Sequence, residues 1–138
     1  MSTALLAGIA RTTEPQSALR RVIALDAVVT GVNGLAYAVA PGPLGRLLGL
    51  DPDTLRPVGL FLVLYALAVA ALAAAQRPPV PLVKLLVDVN LLWVVLSLVS
   101  LVLWFDPTAA GTVWIPLQAL VVAGFAALQW VALRPLTR

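Results

Sequence analysis

The sequence predicts an all-α, polytopic membrane protein built as a four-helix bundle. Hydrophobic residues make up 62% of the 138-residue chain, charged residues make up 11%, and the mean hydropathy is +1.02. Soluble domains contain about 45–50% apolar and about 25% charged residues, so this chain lacks the polar surface of a water-soluble globule. Four apolar stretches approach the ~20 residues that a helix needs to cross a bilayer.

These four stretches are predicted to be transmembrane helices, because an open sheet would leave backbone groups unpaired in lipid. They run over residues 22–40, 57–75, 85–104 and 113–133. Residues 1–21 then form an N-terminal segment, and residues 134–138 form a short tail. The first stretch is longer than the core of a signal peptide, and Pro41 follows it, which indicates a retained helix.

The connection between the first two spans carries helix and turn signals. Pro43 lies near the start and Gly49 near the end of a short stretch that is predicted to be a helix in the membrane interface. Asp51, followed by a proline, is typical of an N-cap with proline in the first turn. Asp106, also followed by a proline, repeats the signal before the fourth span. We interpret both acids as helix caps.

The basic residues predict the orientation of the bundle in the membrane. One side of the membrane would carry Arg11, Arg20, Arg21, Arg77, Lys84, Arg134 and Arg138. The other side would carry only Arg46 and Arg56. Because Lys and Arg are enriched in short cytoplasmic loops, the N-terminus and the C-terminus are both predicted to be cytoplasmic.

The two halves of the chain show a weak internal duplication. Val32-Asn33 matches Val89-Asn90, and Ala70-Ala71-Leu72 matches Ala126-Ala127-Leu128, at a nearly constant offset. A unit of two spans returns the chain to the same side, so the fold would contain two parallel helical-hairpin repeats. Such repeats predict a site between the halves, and a duplicated fold without a site is the alternative.

Polar residues within the apolar spans form the candidate site, because they cost free energy in lipid and usually face protein or water. In the first span they are spaced four, three and four residues apart, which places them on one helix face. The candidate ligand-binding residues of the chain are Asp26, Thr30, Asn33, Tyr37, Asn90, Trp93, Ser97 and Gln118. The alternative interpretation is a stripe that joins the helices through interhelical hydrogen bonds.

The missing residue types exclude several classes of protein. The chain has no Cys and no His, so it has no thiol redox centre, no usual zinc site and no usual haem ligand. A catalytic base and a nucleophile do not occur at plausible spacing. The sequence therefore predicts no enzyme, no metal and no cofactor. Its basic residues lie at span ends, which is typical of a membrane protein rather than a nucleic-acid-binding protein.

Two functions fit this pattern. The first is a non-enzymatic bundle that serves as an accessory subunit or binds an apolar small molecule or a lipid. Its expected partners are the lipid bilayer and either a partner subunit or a second copy of the chain. The alternative is a small proton-coupled transporter acting as a homodimer, in which Asp26 and Asp88 carry the proton. Asp88 follows Lys84 by one helical turn, so a local ion pair is its simpler interpretation.

The chain resembles uncharacterised small four-span integral membrane proteins of high-GC, actinobacterial-type bacteria. The resemblance is carried by the stretch from Leu25 to Leu35, by the Asn90-Leu91-Leu92-Trp93 segment and by the last helix with Gln118. It covers residues 20–133. It implies a multi-pass protein of the bacterial plasma membrane, and it implies no particular activity.

Overall fold

The computed structural model describes residues 3–103 and 106–136, with side chains from residue 16 onward. Over these ranges the chain forms five α-helices and a short 3₁₀ turn: α1 (Thr3–Val39), α2 (Pro41–Leu48), α3 (Pro52–Ala74), α4 (Val80–Leu103), α5 (Ala109–Leu133) and the turn Arg134–Leu136. The described ranges contain no strand. The predicted all-α four-helix bundle is confirmed, with α2 as an additional short helix.

Four helical segments are long and apolar enough, by length and composition, to cross a membrane. They are Gln16–Val39, Pro52–Ala74, Val80–Leu103 and Ala109–Leu136. The chain is therefore a multi-pass membrane protein. The helices extend beyond the predicted spans because hydropathy locates only the apolar part of a helix, whereas backbone hydrogen bonding continues through polar residues. The predicted end of the third span, Trp104, lies outside the described residues.

The four long helices pack as two hairpins, α1 with α3 and α4 with α5, which are joined chiefly by contacts between α1 and α5. Glycines bring α1 and α3 together backbone to backbone. A Cβ placed on Gly59 would lie 2.5 Å from the backbone nitrogen of Ala38, and one placed on Gly34 would lie 2.9 Å from the carbonyl oxygen of Gly59. Such close approach suits a membrane bundle, where packing replaces the hydrophobic effect as the main force between helices.

Two apolar cores lie at opposite ends of the bundle. The first lies at the end that carries Arg20 and Lys84, called here the basic end, and it contains Leu19, Ile23, Val69, Val83 and Leu133. The second lies at the end that carries α2, called here the α2 end, and it contains Tyr37, Leu48, Leu55, Leu62 and Ile115. The polar residues of the spans lie between these two cores.

The short helix α2 confirms the helix predicted between the first two spans, although it begins at Pro41 rather than Pro43. It ends at Gly49, whose φ of 72° lies in the left-handed region that favours glycine. Thr108 holds α2 against the start of α5. The Thr108 amide donates to the carbonyl of Leu48 at 3.2 Å, and its hydroxyl donates to the carbonyl of Leu47 at 2.6 Å.

The two predicted acidic caps have different outcomes. Asp51 caps α3, because its Oδ1 accepts a hydrogen bond from the Asp53 amide at 2.9 Å. The prediction for Asp106 is wrong, because α5 begins at Ala109 and its N-cap is Thr108, whose hydroxyl accepts from the Gly111 amide at 3.2 Å. The contact between Thr108 and α2 sets this start, and the local sequence does not reveal that contact.

Candidate functional site

A cluster of polar side chains, called here the polar cluster, joins all four long helices between the two apolar cores. Asp26 and Thr30 come from α1, Tyr65 from α3, Asn90 from α4 and Gln129 from α5. Asp26, Asn90 and Gln129 are almost completely buried, with exposed fractions of 1%, 3% and 0%. Polar groups buried this deeply require hydrogen-bond partners, and they find them in one another.

The Asp26 carboxylate is the acceptor at the centre of the polar cluster. Its Oδ1 accepts from the Thr30 hydroxyl at 3.0 Å, and its Oδ2 accepts from Asn90 Nδ2 at 3.0 Å. Gln129 Nε2 also donates to Oδ2, at 2.7 Å. These three uncharged donors match the acceptor-only chemistry of an ionised carboxylate. Hydrogen bonds to a charged acceptor are stronger than those between neutral groups.

Asn90 connects the carboxylate to the remaining helices. Its Nδ2 also donates to Gln129 Oε1 at 3.0 Å, and its Oδ1 accepts from the Tyr65 hydroxyl at 3.1 Å. Both hydrogens of the Asn90 amide are therefore used within the bundle. In a low-dielectric interior a fully satisfied network of this kind fixes one arrangement of the helices, and a partly satisfied one is costly.

An open-sided cavity of about 730 Å³ lies between the polar cluster and α2. Six of the predicted site residues line it: Thr30, Asn33, Tyr37, Asn90, Trp93 and Gln118. Leu44, Leu47 and Leu48 of α2 line its other end, and no charged side chain is among its lining residues in the described part of the chain. The volume falls within the range of about 300–1,000 Å³ that is typical of small-molecule sites.

The aromatic residues of the cavity wall use their polar atoms within the protein. Trp93 Nε1 donates to Gln118 Oε1 at 2.8 Å, and Trp114 Nε1 donates to the Tyr37 hydroxyl at 2.6 Å. Gln118 Nε2 in turn donates to the carbonyl of Ile115 at 2.8 Å. Because the two indole nitrogens and the Gln118 amide already have partners, the wall that they form is chemically close to an apolar surface.

Asn33 differs from the other polar residues of the wall. It lies half-buried on α1 and lines the cavity. Its side chain interacts with the Tyr37 hydroxyl, and within the described residues its carboxamide makes no other hydrogen bond. An amide offers two donor hydrogens and two acceptor lone pairs, so Asn33 retains hydrogen-bonding capacity that faces the cavity.

The structure does not bring the remaining predicted residues to the cavity. Asp26 lies behind the wall in the polar cluster, and Ser97 lies further along α4, outside the cavity lining. Asp88 is exposed, while Asn90 two residues later is buried. A step of two residues turns a helix by about 200°, so Asp88 faces away from the side of α4 that contacts Asp26.

Two members of the polar cluster were not among the predicted site residues. Tyr65 is a polar side chain near the middle of an otherwise apolar span, and that isolation is a signal. Gln129 follows Gln118 by three helical turns on the same face of α5. Both signals were present in the sequence, but neither indicates which side chains of the other helices Tyr65 and Gln129 contact.

No protein-family model, no curated protein and no solved structure matches this chain. The class that the fold and the site define is a multi-pass helical membrane protein with an uncharged cavity inside its bundle. Among the described residues, no group of three or more His, Cys, Asp or Glu side chains is arranged to hold a metal ion.

Proposed function

We propose that this protein is a non-enzymatic membrane protein that binds an apolar small molecule or a lipid inside its bundle, alone or as the accessory subunit of a larger complex. The observation that carries this proposal is the uncharged cavity of about 730 Å³ between the polar cluster and α2. Protein interiors are close-packed, with few voids larger than a water molecule. A bilayer supplies apolar molecules to fill such a space.

The polar cluster supports the proposal by giving the cavity a fixed shape. It holds α1, α3, α4 and α5 at one level through direct side-chain hydrogen bonds. The docking of α2 through Thr108 holds the other end. A cavity fixed at both ends is preorganised, and preorganisation lowers the cost of ordering a site when a ligand binds.

Native mass spectrometry of the gently solubilised protein tests this proposal, with chemical identification of any molecule that stays bound. We expect one lipid or small apolar molecule per bundle. A bundle that carries no bound molecule, in detergents that preserve its fold, would contradict the proposal.

A second candidate is proton-coupled transport by a homodimer, and the buried carboxylate of Asp26 favours it. Asp26 is 1% exposed and contacts side chains from α1, α4 and α5. Intramembrane carboxylates often mark proton pathways. In liposomes with an imposed pH gradient, transport predicts that Asp26→Asn abolishes proton flux, whereas Asp88→Asn, on the exposed side of α4, retains it. Equal flux in wild type and Asp26→Asn would remove this candidate.

We further propose that the protein lies in a bacterial plasma membrane with both of its termini in the cytoplasm. Arg20, Arg21, Arg77, Lys84 and Arg134 all belong to the basic end of the bundle, and the excess of Lys and Arg in cytoplasmic loops is the general rule for helical membrane proteins.

A further inference from the structure

We infer that the ligand is an uncharged amphiphile with a hydrogen-bonding headgroup, such as an alcohol or an amide, and that Asn33 binds this headgroup. The inference rests on the proposed function, because it assigns a chemical class to the occupant of the same cavity. Its basis is the combination of an uncharged wall and one amide with unused hydrogen-bonding capacity.

The uncharged wall selects against charged headgroups. Moving an ion into a low-dielectric site is costly unless an opposite charge meets it, and no lining residue in the described part of the chain carries a charge. The nearest buried acid, Asp26, lies behind Thr30 and Asn90, and its oxygens already accept three hydrogen bonds. Asp26 is buried and does not line the cavity, so it does not meet the charge of a cationic ligand there, and its own charge disfavours an anionic one.

Asn33 is the polar group best placed for a neutral headgroup. The amides of Asn90 and Gln118 and the indole nitrogens of Trp93 and Trp114 have protein partners. Asn33 lies six residues before the end of α1 at Val39, which is about 9 Å along a helix axis. The headgroup would thus lie below the membrane surface, at a depth that suits a hydroxyl or an amide better than a zwitterion.

The shape of the cavity indicates that the ligand arrives from the bilayer. Leucines of α2 close one end, and Thr30, Asn90 and Tyr65 of the polar cluster close the other. By contrast, Val32 and Phe61 line the cavity and are 63% and 53% exposed. The open side therefore lies on the lateral surface of the bundle, where lipid chains surround a membrane protein, and a ligand dissolved in the membrane reaches it directly.

Tryptophan fluorescence provides the test, because Trp93 and Trp114 line the cavity and bromine quenches a nearby indole. The probes are 9,10-dibromo-octadecanol and ionised 9,10-dibromostearate at pH 9, added to the full-length protein in nanodiscs. We expect the alcohol to quench at concentrations at least about tenfold lower than the acid. Replacing both Trp93 and Trp114 by Phe should remove the saturable part of the signal, which identifies quenching within the cavity.

Variants at Asn33 test the role of its amide. We expect Asn33→Leu to weaken binding of the alcohol by about three- to tenfold, the usual worth of one hydrogen bond, and Asn33→Gln to retain most of the affinity. Gln76→Leu, an exposed position at the basic end, is the control for adding a leucine and should leave the alcohol affinity unchanged.

The outcomes separate the two levels of the proposal. Equal affinity for alcohol and acid, or unchanged affinity in Asn33→Leu, would overturn the assignment of the ligand class and leave binding in the cavity intact. Absence of saturable quenching by either probe would contradict the binding function itself. The comparison of the two probes uses the wild-type protein. It therefore tests the ligand class and binding in the cavity even where a variant at Asn33 does not fold.

Discussion

Asp26 is the residue on which the buried hydrogen bonds of the bundle converge. Its carboxylate accepts from Thr30, Asn90 and Gln129, and Asn90 carries the network on to Tyr65. The loss of one member leaves the groups that it had bonded short of a partner in a medium without water. For this reason Asn90, which bonds three residues on three other helices, should matter more to stability than its single amide group suggests.

The variant Asn90→Leu should lower the free energy of unfolding by about 1–3 kcal/mol, because it removes one of the three donors to Asp26, the donor to Gln129 Oε1 and the acceptor of the Tyr65 hydroxyl. Ser97→Leu, on the same helix but outside the cavity and the polar cluster, is the matched control and should change stability little. Thermal unfolding of both variants in one detergent, followed by circular dichroism, measures the difference. Similar midpoints for the two variants would show that the network does not stabilise the fold.

The polar face of α1 illustrates what the sequence predicts about individual residues. The spacing of Asp26, Thr30, Asn33 and Tyr37 fixes a shared helix face, because the geometry of the α-helix sets the turn per residue. The partners of each side chain depend on how the helices pair. Asn33 and Asn90 are matched positions of the weak internal duplication, yet Asn33 lines only the cavity while Asn90 also belongs to the polar cluster.

Among the elements, α2 distinguishes the first hairpin from the second. It closes the cavity at one end, and it depends on Thr108 and on the left-handed backbone of Gly49. A Cβ placed on Gly49 would lie 2.5 Å from the Thr108 nitrogen, so glycine is required there by both its φ and the available space. The proline and glycine signals of the sequence predicted α2 and its end at Gly49, but the contact with α5 arises from tertiary packing.

The variant Gly49→Ala should displace α2 and lower stability by at least about 1 kcal/mol, the usual cost of a left-handed residue with a side chain. Gly42→Ala is the control within the same helix, because the nearest atom to its Cβ is 3.7 Å away. Limited proteolysis of the connection between α1 and α3, together with thermal unfolding, compares the two. Equal resistance in both variants would contradict the tight docking of α2.

At the scale of the whole molecule, the distribution of charge predicts the orientation in the membrane. The chain has no Cys, so a single introduced cysteine reports on one position. Gln76 and Thr54 are both exposed, one at the basic end and one at the α2 end. In intact cells a membrane-impermeant maleimide should label Thr54→Cys and should label Gln76→Cys only after the membrane is opened. The reverse pattern would contradict the proposed orientation.

The composition predicted the membrane fold because four apolar helices have no alternative partner to lipid and to one another. It did not predict the cavity, since a cavity depends on how far the helices separate. The contacts between α1 and α3 are close because of Gly34 and Gly59, while the two hairpins meet chiefly through α1 and α5. This unequal packing leaves the space between the polar cluster and α2.

The central claim is that this cavity holds a molecule, and a variant that fills the cavity tests it most directly. Ala36 on α1 and Ala68 on α3 are both exposed, but only Ala36 lines the cavity. Native mass spectrometry should detect a bound lipid or small apolar molecule on the wild type and on Ala68→Phe, and should find it lost or strongly reduced on Ala36→Phe. Equal occupancy in all three proteins, or a wild type that carries no molecule, would contradict the account.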